Sequence, residues 1–491
     1  MGGYFFTKII KVNFSTEYTS PENTMVFSSP VFLFFFLPVT LGIYYAVPAK
    51  FKNFILFLSG LVFYAWGEPV YVLIMILSTA IDYTAGRIIG RFGENKVIRK
   101  LCLIISVVMN LSLLGVFKYS GFVIDSINSL FNLSLNNPNL PLPIGISFFT
   151  FQSMSYTIDL YRGNIKVQKN FIDFGAFVTM FPQIVAGPIV LYEDIEKQLK
   201  SRTIDMTALS DGIARFICGL AKKVLIANGI GELWTSVKGA DFSSLPAIDA
   251  WLGILAFTLQ IYFDFSGYSD MAIGLGKMIG FDFPENFNYP YMSKSITDFW
   301  RRWHMTLGGW FRSYVYIPLG GNRKGKIKTV RNLLIVWFLT GLWHGAGVNF
   351  IMWGLYYGVI LILEKFVYGR YLEKLPNIVK HIYSMIIVIF GWVLFELNSV
   401  NLIGGFLGSL FGASGAFTGA DTSLYIHNYL FIFIIAVVGC TNIPERIYIH
   451  FNEKYPKTFG VISVILQTLA FGAVIAYLVN STYNPFLYFN F

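Results

Sequence analysis

Charge is what this sequence has least of. Of its 491 residues, 13% are charged, whereas 55% are hydrophobic and 18% aromatic. Soluble domains carry about 25% charged residues, so a water-facing surface cannot be assembled from this composition. Apolar runs recur along the whole length, which excludes a soluble domain with a single anchor and predicts an all-α polytopic membrane protein. Lipid offers no partner to exposed backbone, and runs of this length suit helices rather than barrel strands. Cysteine is also scarce. Cys102, Cys218 and Cys440 form no CxxC and lie in or beside apolar segments, which argues against disulfides or a thiolate metal site; they read as small buried hydrophobes. There is no GxSxG elbow, no P-loop and no inverted repeat of the transporter kind. The net charge of +10 does not indicate nucleic acid, because the basic residues sit in short clusters between apolar runs. That distribution marks cytoplasmic loops and suits anionic headgroups or a phosphorylated donor.

Residues 1–24 are polar and lack a signal-peptide core. They read as an extension ahead of Met25, which looks like a natural start, and residues 25–491 read as a single membrane domain. Apolar segments follow at 30–47, 53–66, 68–90, 101–117, 143–161, 171–190, 208–230, 247–263, 265–280, 332–343, 345–366, 381–397, 424–441 and 459–479. Several are too short to cross a core of about 30 Å. The expectation is therefore about eleven transmembrane helices together with re-entrant or interfacial ones. Basic clusters at 50–52, 91–100, 197–202, 301–312 and 323–331 place those loops in the cytoplasm by the positive-inside bias.

Two histidines stand out. The stretch "KSITDFWRRWHMTLGGWFR" (294–312) is too charged to span, and at helical spacing it gathers Trp300, Trp303, His304, Leu307 and Phe311 on one face. It predicts one amphipathic interfacial helix with His304 pointing inward, either as a core histidine or as a second chemical group. His344, in "LTGLWHGAGVNFIMWGLYYG" (339–358), follows Arg331 by a length of helix that places it roughly 20 Å deep. An ionisable group at that depth lines a cavity or substrate path more often than it faces lipid. Gly341, Gly345 and Gly347 keep space around it. With no nucleophile motif in the chain, His344 fits a general base that deprotonates a substrate hydroxyl directly. Gln183, Asp264, Ser266 and Asp270 are polar residues in apolar runs. They suit a hydrogen-bonded lining for a polar tunnel better than a metal site, since no further His or Glu joins them.

The ordered combination "DFWRRWHMTLGGWFRSYVYIPLGGNRKG" (298–325) and "LTGLWHGAGVNFIMWGLYYG" resembles the membrane-bound O-acyltransferases, in their alginate O-acetyltransferase branch. "MVFSSPVFLFFFLP" (25–38), "PIGISFFTFQSMSYTIDLYRG" (143–163), "FPQIVAGPI" (181–189) and "YFDFSGYSDMAIG" (262–274) extend the resemblance over 25–491. It implies a ring of helices around a central funnel or tunnel, with His344 as active-site base and His304 as the second implicated residue. It also implies acetyl transfer from a cytoplasmic donor, acetyl-CoA, toward an extracytoplasmic polysaccharide in the cell membrane, alongside an exported SGNH-type acetyltransferase. No permanently bound cofactor, metal or nucleic acid is expected. Arg323, Lys324 and Lys326 either contact donor phosphates or simply set topology. Ser313, Val348 and Tyr357 depart from the family pattern, which often has Asp, Trp and His there. Two other functions compete: D-alanyl or other acyl transfer from a carrier protein to a cell-wall polymer, and transport or flipping of a glycan or lipid intermediate.

Overall fold

The computed structural model describes residues 25–480 and Leu487; the polar extension 1–24 lies outside the described residues. Every regular element among them is helical. Seven helices among the described residues are long and apolar enough to cross a membrane, so the protein is a multi-pass membrane protein. The expectation of about eleven also counted shorter apolar segments, two of which are helices at Phe32–Ala46 and Val400–Leu410. The chain packs as two compact units, one reaching Val185 and taking in 191–193, the other containing 186–190 and everything from Asp194 onward.

The first unit contains α1 (Leu37–Ala46), α2 (Lys52–Gly67), α3 (Val72–Arg91), α4 (Lys96–Phe131), α5 (Ile146–Arg162) and α6 (Phe171–Thr179). Its interior is held by polar contacts as well as by apolar packing. Asp82 on α3 is wholly buried. Its carboxylate accepts from Ser106 Oγ at 2.5 Å and Asn110 Nδ2 at 2.8 Å, both on α4. Ser106 also meets Thr157 Oγ1 of α5 at 3.0 Å. A buried carboxylate costs several kcal/mol unless it is satisfied in this way, so the network fixes three helices in register.

In the second unit, α7 (Met206–Ala221) runs through a π-helical segment, Lys222–Asn228, into α8 (Gly229–Lys238). The long α9 (Ala247–Met278) is almost entirely buried. Glycines explain how closely α7 and α9 approach. Gly212 and Gly219 are seven residues apart, as are Gly267 and Gly274, and the pairs meet antiparallel. A Cβ on any of the four would lie within 2.7 Å of the opposing backbone, so only glycine permits this crossing.

Beyond α9 come α10 (Ile296–Trp300), α11 (Met305–Phe311), α12 (Lys326–His344), α13 (Val348–Leu363), α14 (Asn377–Glu396) and α15 (Val400–Leu410). The last helices are α16 (Thr422–Gly439), α17 (Ile443–Lys454) and α18 (Pro456–Asn480). α16 and α18 bury little inside the protein, which leaves their apolar sides for lipid.

The single amphipathic helix expected over 294–312 is instead two short helices. His304 breaks it with left-handed backbone (φ 45°, ψ 52°). The break is stabilised from a distant segment. Met305 N donates to Asn286 O and Asn288 N to Arg302 O, each at 2.9 Å. Those bonds replace part of the i→i−4 ladder, so helical periodicity along 294–312 did not reveal the bend.

Candidate active site

His344 is the last residue of α12. The helix stops there because Gly345 takes an extended conformation, and α13 begins after Gly347. The imidazole is buried, 7% exposed. Its ring meets Trp343, Trp353 and Phe395 edge-on, with centroids 4.9, 4.8 and 5.3 Å away. Asn349 fixes this arrangement by donating from Nδ2 to Phe395 O at 3.0 Å, which ties the start of α13 to the end of α14.

A small cavity of about 20 Å³ opens on His344, and Asp264, Trp303, Trp353, Trp392 and Leu487 are among its other walls. That volume holds about one water. It is large enough for the reacting atoms of a hydroxyl and too small for a sugar. Among the described residues, Asp264 brings the one carboxylate to this lining. It pairs with Lys223 Nζ at 2.7 Å, with both side chains almost fully buried, and its Oδ2 accepts from Leu487 N at 3.1 Å. Lys223 also donates to Asn228 Oδ1 at 2.8 Å. The π-helical turn stacks residues five apart, which is why these two side chains meet.

His304 is 2% exposed. It lies behind the cavity rather than on its lining, edge-on to Phe265 at 4.6 Å and 5.8 Å from Trp343. Its Nδ1 is 3.2 Å from Asn286 Oδ1. The same amide oxygen accepts from Thr306 N and Thr306 Oγ1, so the imidazole proton is on Nδ1. Burial pushes the His304 pKa down to about 3, and the ring is neutral at physiological pH. Two buried imidazoles thus flank Trp343, and one of them opens on a cavity.

The family model for the membrane-bound O-acyltransferases matches residues 100–406, which carry both histidines. The chain belongs to this family. It is 39% identical to the "Probable alginate O-acetylase AlgI" of Azotobacter vinelandii, over 95% of this chain and 100% of that protein. It is 31% identical to the peptidoglycan O-acetyltransferase of Helicobacter pylori, over 95% and 98%. With the teichoic acid D-alanyltransferase of Bacillus subtilis it shares 33% identity, over 51% of this chain and 68% of the relative. The protein is therefore an O-acyltransferase enzyme.

This O-acyltransferase brings only some of the sequence-selected polar residues together. Asp264 shares the cavity with His344. Asp270, six residues further along α9, is instead held by Arg215 and Lys222, each at 2.6 Å, and Arg215 reaches on to Glu285. That is an ion-pair clasp between α7, α9 and the following segment. Ser266 is buried, and its hydroxyl has no hydrogen-bond partner among the described residues. Gln183 belongs to the first unit, where its amide donates to Phe177 O, as does that of Gln152. Arg323, Lys324 and Lys326 are exposed in and beside the turn that precedes α12. Asn332 braces that turn by donating to Gly321 O at 2.9 Å. Tyr357 is fully buried against Trp300, Trp337 and Trp353.

Sequence reasoning placed Trp303 on the face of His304 but missed the other aromatic walls, Trp353, Trp392 and Phe395, since aromatics are too common in this chain to stand out. It also missed Lys223, although a lysine inside "AKKVLIANGIG" carried the same signal that singled out Asp264.

Proposed function

We propose that this O-acyltransferase moves an acetyl group from acetyl-CoA, presented at the face carrying the basic loops, to hydroxyls of an extracytoplasmic polysaccharide in a bacterial cytoplasmic membrane. His344 is the general base. The observation that carries this reading is a buried imidazole opening on a small cavity at a helix break. In the reaction the imidazole takes the hydroxyl proton as the oxygen attacks the thioester carbonyl. The C–S bond then breaks, and the imidazolium returns the proton to the leaving thiolate, giving ester and free thiol. The relatives named for alginate and peptidoglycan O-acetylation, matched over nearly the whole chain, support a polysaccharide as acceptor. An exported SGNH-type acetyltransferase is the proposed partner that completes delivery to the polymer.

The test is acetyl release or transfer from radiolabelled acetyl-CoA by purified protein in nanodiscs. General bases contribute about 10²–10⁴-fold, so His344→Ala should retain at most about 1% of the wild-type rate while remaining folded. His344→Gln, which can hydrogen-bond but not take a proton, should be equally inactive. Near-normal turnover by the Gln variant would remove His344 as base. Full polymer acetylation without a second protein would remove the partner.

A further inference from the structure

A second and larger cavity lies away from His344. Its volume is about 570 Å³, and its walls include Lys294, Arg301, Lys365 and Lys380 as well as Leu333 and Leu361. It sits where the span Val348–Glu373 ends and the next, Asn377–Glu396, begins. The cavity is therefore at the level of a membrane–water interface, with its leucines toward the apolar side.

The acids of the lining do not neutralise this basic set. Two acids against four cations leave the lining with two positive charges in excess, and the oxygens of buried Glu364 are already hydrogen-bonded. Its carboxylate accepts from Ile296 N at 2.6 Å, Thr297 N at 2.9 Å, Thr297 Oγ1 at 2.6 Å and Tyr383 OH at 3.0 Å. It acts as a brace joining α10 to α13 and α14. Glu373 is exposed at the mouth. None of the four cations has an ion pair within 4.0 Å among the described residues. Four positive groups around one concavity repel one another and favour an anion between them.

The surroundings say what kind of anion. Val367, Tyr371 and Ile378, each within two residues of the lining in sequence, are 61%, 71% and 63% exposed. They alternate with Lys365, Arg370, Lys374 and Lys380. An apolar rim interleaved with basic residues at the end of two spans is the composition of a surface resting in headgroups. A soluble nucleotide gains nothing from such a rim, whereas a phospholipid covers it with its acyl chains. We propose that this cavity is a binding site for the phosphate headgroup of an anionic phospholipid. The site is separate from the acyl-transfer cavity and does not depend on the donor or acceptor assigned to it.

The experiment is native mass spectrometry of the purified protein titrated with phosphatidylglycerol and, in parallel, phosphatidylcholine. One phosphatidylglycerol should be retained with at least tenfold preference. Basic residues at an anionic surface each contribute roughly fivefold, so Lys365→Gln with Lys380→Gln should weaken retention by about thirtyfold. Lys294→Gln with Lys380→Gln is a second pair should the first fail to fold. Lys454→Gln with Lys457→Gln, outside the cavity lining, should leave it unchanged. Equal retention of the two lipids, equal loss in the control pair, or displacement of phosphatidylglycerol by adenosine 3′,5′-bisphosphate would each overturn the assignment.

Discussion

His304 and His344 are the same residue type, forty positions apart, and their surroundings give them different work. His344 opens on a cavity, while His304 holds a backbone turn together through Asn286. The second role has a thermodynamic signature. In the unfolded chain His304 titrates near its ordinary value of about 6.5, and in the folded protein near 3. Between those values the unfolded state binds the extra proton, so stability is complete above about pH 6.5 and erodes as pH falls toward 3. Thermal unfolding of wild type should weaken over that window. His304→Gln, which keeps a hydrogen-bonding side chain but does not titrate, should show a flatter profile and substantial remaining activity. A His304→Gln protein that is fully stable yet inactive would show that His304 acts in the chemistry. At this scale the sequence was partly legible. A polar atom inside an apolar run marks a position that must be satisfied, and Asp264 was found that way. Whether the partner is a substrate cavity or two cations, as at Asp270, depends on neighbours dozens of residues away.

Among the helices, the antiparallel glycine contact between α7 and α9 sets where the walls of the His344 cavity stand. α9 supplies Asp264 and Phe265 to the cavity, and the π turn after α7 supplies Lys223, the ion-pair partner of Asp264. Gly267→Val should push the helices apart at their closest approach. The expected result is a lower melting temperature in detergent and loss of most activity, with Gly460→Val, where nothing lies within 4 Å, as the unaffected comparison. Equal behaviour of the two variants would mean that the close approach is dispensable. Helix identity was largely readable because apolar runs and their interruptions locate most elements. The break after His344 falls close to the boundary between the apolar segments 332–343 and 345–366. The break at His304 was not readable, since a left-handed residue pinned by Asn286 leaves no mark on local periodicity.

For the molecule as a whole, the basic turn before α12 and the basic cavity belong to the same end of antiparallel α12 and α13. The positive-inside bias predicts that this end is cytoplasmic. A single cysteine at Lys324, in a background lacking Cys102, Cys218 and Cys440, should resist an impermeant maleimide in intact cells and react after permeabilisation. Labelling from outside would invert the topology and the side from which the donor is proposed to arrive. Membrane character was legible from composition alone. The division into two compact units was not, because both are built from the same kinds of apolar helix.

The Lys223–Asp264 pair also bears on how the chain enters the bilayer. A lysine or aspartate at a helix centre costs about 2.5–3.5 kcal/mol in translocon-mediated insertion, and α9 carries Asp264 and Asp270 with no cation between them. The countercharges, Lys222 and Lys223, precede it in the chain, so they are synthesised first and are waiting when α9 emerges. Integration of α9 should thus be a two-segment event. In a glycosylation-tag insertion assay, 247–278 alone should integrate poorly, and 206–278 should integrate well. Substituting Lys222 and Lys223 with Gln should return the longer segment to the behaviour of the shorter one. Efficient integration of the isolated helix would show that the pair is dispensable at this stage and matters only in the finished protein.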